Sequence, residues 1–152
     1  MKFEPENDGV THINVYSKGK TELGRLLTNF ARTPFQHPQY GHFESMEGYW
    51  YWVKTGKNKD QLRRFYGFYA KDIGRSIPAV HNPQFEHDIR EGIRAKLECN
   101  LDLQTLLVSS GSLPLVHYYV YGGKVVVPKG HDWQMDEWMR LRTYYQEKTN
   151  GC

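Results

Sequence analysis

A carboxylate and an ammonium group, Glu47 and Lys54, lie seven residues apart in an aromatic-rich segment of the chain, Ser45–Lys54. At 3.6 residues per turn, this spacing brings both side chains onto one face of a helix, two turns apart. One helical stripe could therefore present an acid and a base to the same ligand. The preceding segment, Leu27–Phe35, mixes polar with aromatic residues around a proline, which is typical of a loop. We expect the two segments to form the wall of a pocket.

Length and composition favour a single small globular protein. The 152 residues fit one domain, so we expect residues 1–152 to fold as a unit. Lys and Arg number 20 against 17 Asp and Glu, and the resulting charge of +3 is too small to indicate a dedicated nucleic-acid binder. The content of aromatic residues is high, at 14%, and these rings could line a site or simply form the core.

The cysteines and the N-terminus indicate where the protein works. Cys99 and Cys152 are the two thiols, and one lies at the last position, so they make a poor disulfide framework. The first residues contain no apolar signal segment, and no apolar run is long enough to cross a bilayer. We therefore expect a cytoplasmic, unprocessed protein that does not bind membranes.

Hydrophobic spacing and turn residues predict a mainly helical α+β fold with a few short strands. Predicted helices run from Ser45 to Gly56, from Asn58 or Asp60 to Gly74, from Asn82 to Glu98, from Asp102 to Gly111 and from Asp132 to Glu147. Predicted strands cover residues 12–16, 115–121 and 124–127, the last two joined by a Gly122-Gly123 hairpin turn.

Four groups of short motifs follow one another along the chain. They are Leu27-Thr28-Asn29-Phe30 with Pro34-Phe35; Ser45-Met46-Glu47-Gly48 with Lys54; Lys96 and Asn100 with Leu106-Leu107 and Ser110-Gly111; and Gly130-His131-Asp132 with Trp138-Met139-Arg140-Leu141-Arg142. In order and spacing they resemble the motifs of the NADAR family, the YbiA-like N-glycosidases that act on nucleotide-linked sugars. The resemblance extends from about residue 27 to residue 142.

This resemblance implies a YbiA-like domain that hydrolyses an N-glycosidic bond without a cofactor. The expected ligand is a nucleotide or ADP-ribose-type small molecule, or an ADP-ribosylated macromolecule. Cleavage of a ribose C1′–N bond passes through an oxocarbenium-like state, which requires a fixed carboxylate near C1′. By resemblance Glu47 takes that role, although an ordinary acid in a first helical turn is the alternative. Asp132 is a second candidate catalytic acid, or simply an N-cap.

The remaining candidate site residues would hold the ligand. Lys54 and Lys96, with Arg32, could bind phosphate through charge-assisted hydrogen bonds. Aromatic rings can stack on a nucleobase, and Trp50 could alternatively belong to the core. The full set of expected ligand-binding residues is Asn29, Phe30, Trp50, Lys54, Lys96, Tyr121 and Gly122.

Four positions depart from the family pattern. Gly48 replaces a His, His117 an acidic residue, Tyr121 the Trp of a Trp-Gly pair, and Asp132 an Asn. The Glu is kept. A relative changed in this way could act on a new substrate, or it could bind and sequester a nucleotide-derived molecule without turning it over.

Two other classes of function are less well supported. His37 and His42 lie five apart and His81 and His87 six apart, and neither spacing is the i, i+4 pair of a helical metal site, so we expect no metal.

A nucleic-acid-binding module is the other alternative, because bases alternate with rings in 63–66 and 68–71. Helical spacing instead predicts one amphipathic helix with a buried face, which disfavours a nucleic-acid partner. That expected apolar face consists of Leu62, Phe65, Tyr69 and Ile73.

Overall fold

The computed structural model describes residues 3–150, with side chains through residue 149; Cys152, weighed above as a disulfide partner, lies outside them. The described helices are α1 (Glu22–Leu27), α2 (Met46–Lys54), α3 (Gly67–Arg75), α4 (Phe85–Glu98), α5 (Leu101–Ser109) and α6 (Asp132–Asn150). The described strands are β1 (Ile13–Asn14), β2 (Phe35–His37), β3 (Gly41–Phe43), β4 (Leu115–Val116), β5 (Tyr119–Tyr121) and β6 (Lys124–Val126). The prediction of a mainly helical α+β fold is confirmed. No helix in this part of the chain is both long and apolar enough to cross a membrane.

The chain divides into two compact units. The first combines 1–28 with 102–152, and the second comprises 29–101. Whether they behave as the expected single domain stays a prediction.

In the first unit, the short strands form two pairs. β1 pairs in parallel with β4, and β5 pairs with β6 in an antiparallel hairpin. The hairpin at Gly122-Gly123 is therefore confirmed, and both glycines have positive φ, as its tight turn requires.

The continuous strand predicted over 115–121 is wrong, because it is broken between β4 and β5. The side-chain amide of Asn14 accounts for the break. Its Oδ1 accepts from the Tyr118 N–H at 3.0 Å, and its Nδ2 donates to the Tyr118 carbonyl at 3.0 Å. A buried side chain thus takes the place of a strand neighbour at that position.

In the second unit, α2 packs against both α3 and α4. Glycines on the partner helices allow the close approach. A Cβ on Gly92 of α4 would lie 2.3 Å from Cε2 of Tyr49, and one on Gly74 of α3 would lie 2.1 Å from Cγ of Tyr51. The backbone of each neighbouring helix therefore lies directly against a ring of α2.

The helix predicted from about residue 58 to Gly74 is wrong, because it is two elements. A 3₁₀ helix, Asp60–Arg64, precedes α3, and Phe65 and Tyr66 between them are extended. The Phe65 carbonyl accepts a 2.8 Å hydrogen bond from the Ser45 hydroxyl, which holds it out of helical pairing. The expected buried face is formed only in part, since Leu62 is fully buried but Tyr69 is 61% exposed.

Other elements follow the sequence more closely. The predicted α4 is confirmed, with Ile89, Ile93 and Leu97 fully buried. The expected loop before α2 is confirmed over 28–34, flanked by α1 and β2, which the sequence analysis did not predict. Helix α1 has six residues and the strands β2 and β3 have three each, so their periodic signals are weak.

Candidate functional site

The candidate site begins where the 28–34 loop meets the start of α2. The Ser45 hydroxyl accepts a 3.0 Å hydrogen bond from the N–H of Gly48, which makes Ser45 the N-cap of the helix. The N–H of Glu47 donates to the Asn29 carbonyl at 2.8 Å. Because both bonds hold the first turn, the Cα of Glu47 is fixed against the loop.

Gly48 allows the same turn to approach the segment 62–65. A Cβ at position 48 would lie 2.3 Å from the Leu62 carbonyl oxygen and 3.1 Å from the Phe65 carbonyl oxygen. No side chain fits there without displacing backbone. The glycine that departs from the family's His therefore has a packing cause in this chain.

The Glu47 side chain is a buried acid. It is 8% exposed, and within residues 3–149 no group donates a hydrogen bond or forms an ion pair with its carboxylate. Burial raises the pKa of Glu47 from 4.5 to about 7, and the charge of Lys71 opposes this rise only in part. A carboxyl group with such a pKa exchanges protons near neutral pH, as general acids and bases must.

The Lys71 ammonium lies near this acid, and it also lies near a pair of aromatic rings. Phe30, next to Asn29 in the loop, packs edge-to-face on Phe68 with centroids 4.9 Å apart, and Phe68 is 66% exposed. The Lys71 ammonium lies 5.8 Å from the Phe30 centroid. The structure thus brings together Asn29, Phe30 and Glu47 from the predicted set. It adds Phe68 and Lys71, which the sequence analysis considered only as part of a nucleic-acid-binding module, although their spacing of three on α3 could have indicated a shared face.

The other candidates in this unit have different surroundings. Lys54 is exposed and lies 5.7 Å from the Tyr51 ring, whereas Trp50 is half-buried and packs edge-to-face on Phe85 at 4.8 Å. Lys96 is fully buried on α4, and this burial lowers its pKa to about 7. Lys96 could therefore bind a phosphate group only if the ligand could reach its buried ammonium group.

The remaining predicted residues belong to the first unit. Tyr121 is 78% exposed at the tip of the β5–β6 hairpin, and Gly122 beside it has a φ of +57°. Asp132 is exposed at the start of α6. His117, at a position where the family has an acid, donates from Nδ1 to the Val15 carbonyl at 2.7 Å, and burial lowers its pKa.

The second unit also contains an open cleft of about 470 Å³. Three guanidinium groups, one imidazole and two carboxylates line it: Arg32, His42, Glu44, Asp60, Arg63 and Arg64. Of these, the sequence analysis singled out Arg32 as a phosphate ligand. Glu47 does not line this cleft but follows Glu44 by three residues.

No family model matches the chain, and no curated protein matches it significantly. Among solved structures, the NMR structure of the E. coli protein YbiA is similar, with a TM-score of 0.70 and 24% sequence identity. The match covers 97% of this chain and 95% of that one. This likeness agrees with the resemblance indicated by the order of motifs. The protein therefore has a YbiA-like fold.

Proposed function

We propose that the protein hydrolyses an N-glycosidic bond in a nucleotide-linked or ADP-ribose-linked substrate, with Glu47 as the essential carboxylate. One observation carries the proposal. Glu47 is a buried acid without a hydrogen-bonding partner among the described residues, and the Lys71 ammonium that lies near it also lies 5.8 Å from the Phe30 ring centroid. Burying a carboxylate without compensation is costly, and such groups cluster at functional sites.

The chemistry assigns Glu47 two tasks. When ionised, it stabilises the positive charge that develops at C1′ as the bond to nitrogen breaks and the base departs with the electron pair. It then accepts a proton from the water whose oxygen bonds to C1′, and that proton passes on to the departing base or to solvent. Both tasks require the deprotonated form.

The neighbouring groups are suited to the rest of such a substrate. Phe30 and the exposed Phe68 offer π faces for a base. Lys71 is near enough to Glu47 to lower its pKa against the effect of burial, and so helps to keep the carboxylate ionised.

The test compares the wild-type protein with Glu47→Gln. The probes are nicotinamide mononucleotide, NAD⁺ and an N-ADP-ribosylated nucleobase, with released base measured by chromatography. We expect the wild-type protein to release base from at least one probe, and Glu47→Gln to lose about 10²-fold or more of that activity. Equal activity in the two proteins would refute the role of Glu47.

Calorimetry with ADP-ribose distinguishes the enzyme from the receptor considered above. Glu47→Gln should still bind the ligand, because glutamine keeps the shape of the side chain. A wild-type protein that binds ADP-ribose tightly but releases no base from any probe would instead be a sequestering protein.

A further inference from the structure

The open cleft of the second unit is organised around Glu44. Its carboxylate accepts from the Arg32 guanidinium at 2.9 Å and pairs with the His42 imidazole at 2.5 Å. These two partners lower the pKa of Glu44. Both are more than half exposed, at 59% and 55%, whereas Glu44 is 18% exposed. Glu44 therefore pairs with two exposed side chains that also line the cleft.

Arg63 lines one side of the cleft and is held there by several contacts. The Arg63 guanidinium lies 4.5 Å from the Phe43 centroid and 4.8 Å from the Trp52 ring centroid. It also pairs with Asp60 at 2.9 Å and donates to the Tyr40 carbonyl at 2.6 Å. These contacts use Arg63 to build the site rather than to bind a ligand.

Arg64, in contrast to Arg63, is not held by contacts within residues 3–149 that build the site. It is exposed, and in the described part of the chain its guanidinium has neither a hydrogen-bond nor an ion-pair partner. The lining carries three guanidinium groups against two carboxylates, so the cleft is positive even with neutral His42. The Arg32 guanidinium lies 5.1 Å from the ring of Tyr66, which is 45% exposed at the rim.

We propose that this cleft binds a phosphate ester, with Arg32, Arg64 and His42 as donors and Glu44 as the carboxylate that the phosphate displaces. Guanidinium groups match the oxygens of phosphate in pairs, and carboxylate and phosphate compete for the same donors. The Glu44 pairs would thus hold the donors in place until the ligand arrives. This inference rests on the proposed function in taking the phosphate to belong to the substrate whose sugar reaches Glu47.

The position of the cleft supports that link within the second unit. Glu44 precedes the N-cap of α2 directly, and its N–H donates to the Arg63 carbonyl at 2.9 Å. Arg32 follows Asn29, whose carbonyl fixes Glu47, by three residues. The loop and the helix start that position the acid therefore also carry the proposed phosphate ligands.

Binding is measured by calorimetry in the Glu47→Gln protein, so that no probe is hydrolysed. Ribose 5-phosphate should bind at least tenfold more tightly than ribose, and its affinity should fall as salt rises. Arg32→Gln and Arg64→Gln should each weaken ribose 5-phosphate binding about tenfold. Arg94→Gln, which alters an exposed arginine of α4 outside the cleft, is the control and should leave binding unchanged.

The Glu44→Gln variant tests whether the phosphate displaces the Glu44 carboxylate from its donors. It removes the competing charge, so ribose 5-phosphate should bind more tightly than before. Weaker binding would contradict displacement, and equal affinities for ribose and ribose 5-phosphate would overturn the subsite altogether.

Two further probes identify the source of the phosphate. ADP-ribose tests a small-molecule ligand, and a short single-stranded oligonucleotide tests a nucleic-acid backbone. Arginine-dependent binding of either supports the subsite, and binding of neither overturns it. If the cleft binds phosphate but the protein has no hydrolytic activity, the proposed function alone is overturned. If the protein hydrolyses a probe and neither arginine variant weakens binding, the subsite alone is overturned.

Discussion

Burial of the Glu47 carboxylate costs folding stability, and the proposed catalytic role of this group explains that cost. A carboxylate that is 8% exposed loses most of its hydration, and without a hydrogen-bonding partner in the described residues it holds its proton until about pH 7. An acid with only a structural role would gain more from a partner or from solvent. The same environment that weakens the folded state thus gives the group a useful pKa.

This cost predicts that Glu47→Gln stabilises the protein at alkaline pH. The folded pKa of about 7 lies above the unfolded value of 4.5, so the wild-type protein loses stability as pH rises from about 4.5 to 7 and stays at that lower level above it. The difference corresponds to about 3 kcal/mol. Urea unfolding at pH 5 and pH 8 should therefore show a higher free energy of unfolding for Glu47→Gln than for the wild-type protein, and the difference should be larger at pH 8.

Glu98→Gln is the matched control for this comparison, because Glu98 is an exposed acid of α4. It should show little difference between the two pH values. If Glu47→Gln were less stable than the wild-type protein by the same amount at both pH values, the carboxylate would be paired in the native state.

His37 predicts a change of the opposite sign. Its Nδ1 accepts from the N–H groups of Gln39 and Tyr40 at 3.0 and 3.1 Å, and its buried Nε2 has no partner among the described residues. Burial and the charge of Lys57 lower its pKa, against the nearby carboxylates of Asp88 and Glu91. The unfolded chain therefore takes up the proton first, and stability falls as pH drops below about 6.5.

His37→Asn should reduce that loss on acidification. Asn can accept the same turn N–H groups but does not titrate. The variant will be less stable overall, because the ring stacks on Tyr40 and Tyr49 at 4.6 and 5.5 Å. The readout is the change in free energy of unfolding between pH 7 and pH 5. The exposed His87→Asn is the control, and an unchanged slope in His37→Asn would contradict the account.

Among the helices, α2 controls the geometry of the site because it touches its neighbours through glycines. Gly48→Ala places a Cβ 2.3 Å from the Leu62 carbonyl oxygen, so the start of the helix must shift. We expect a loss of about 1–3 kcal/mol in the free energy of unfolding. We also expect a lower rate of hydrolysis, since the shift moves Glu47 directly.

Lys54→Ala provides the comparison for Gly48→Ala. It alters an exposed residue at the other end of α2 that already carries a Cβ, so the substitution adds no atom to the packing. Its stability should stay within about 0.5 kcal/mol of the wild-type value. If Gly48→Ala were equally neutral, the tight packing at Leu62 would be contradicted.

The elements that the sequence predicted well are those with local causes. α4 repeats its apolar residues every four positions, and α2 begins at a capping serine. The failures come from single long-range bonds. Ser45 holds the Phe65 carbonyl 20 residues away, and Asn14 binds the Tyr118 backbone 104 residues away. No periodicity within a segment could show that a distant polar side chain interrupts it.

The same distinction applies to the site. The position of Glu47 in a first helical turn and its proximity to Asn29 could be predicted from motif order and spacing. Its burial could not, because that depends on α3 and on the backbone approach at Gly48. The arginine cleft was not predicted as a site because its members come from three short segments with no common pattern.

For the molecule as a whole, the fold is more informative than sequence identity. At 24% identity the match to the YbiA structure covers 97% of the chain with a TM-score of 0.70, so the likeness extends over nearly the whole fold. A fold hosts several activities, and the site residues must decide among them. The proposal therefore depends on the ionised Glu47 rather than on the likeness alone.

The pH dependence of kcat/KM for base release tests this dependence most directly, because it reports the ionisation of the free enzyme. With a carboxylate that must be deprotonated and a pKa near 7, the wild-type rate should rise about tenfold per pH unit below pH 7 and level off above it. A rate that stays constant between pH 5.5 and 8.5 would show that Glu47 is not the group on which hydrolysis depends.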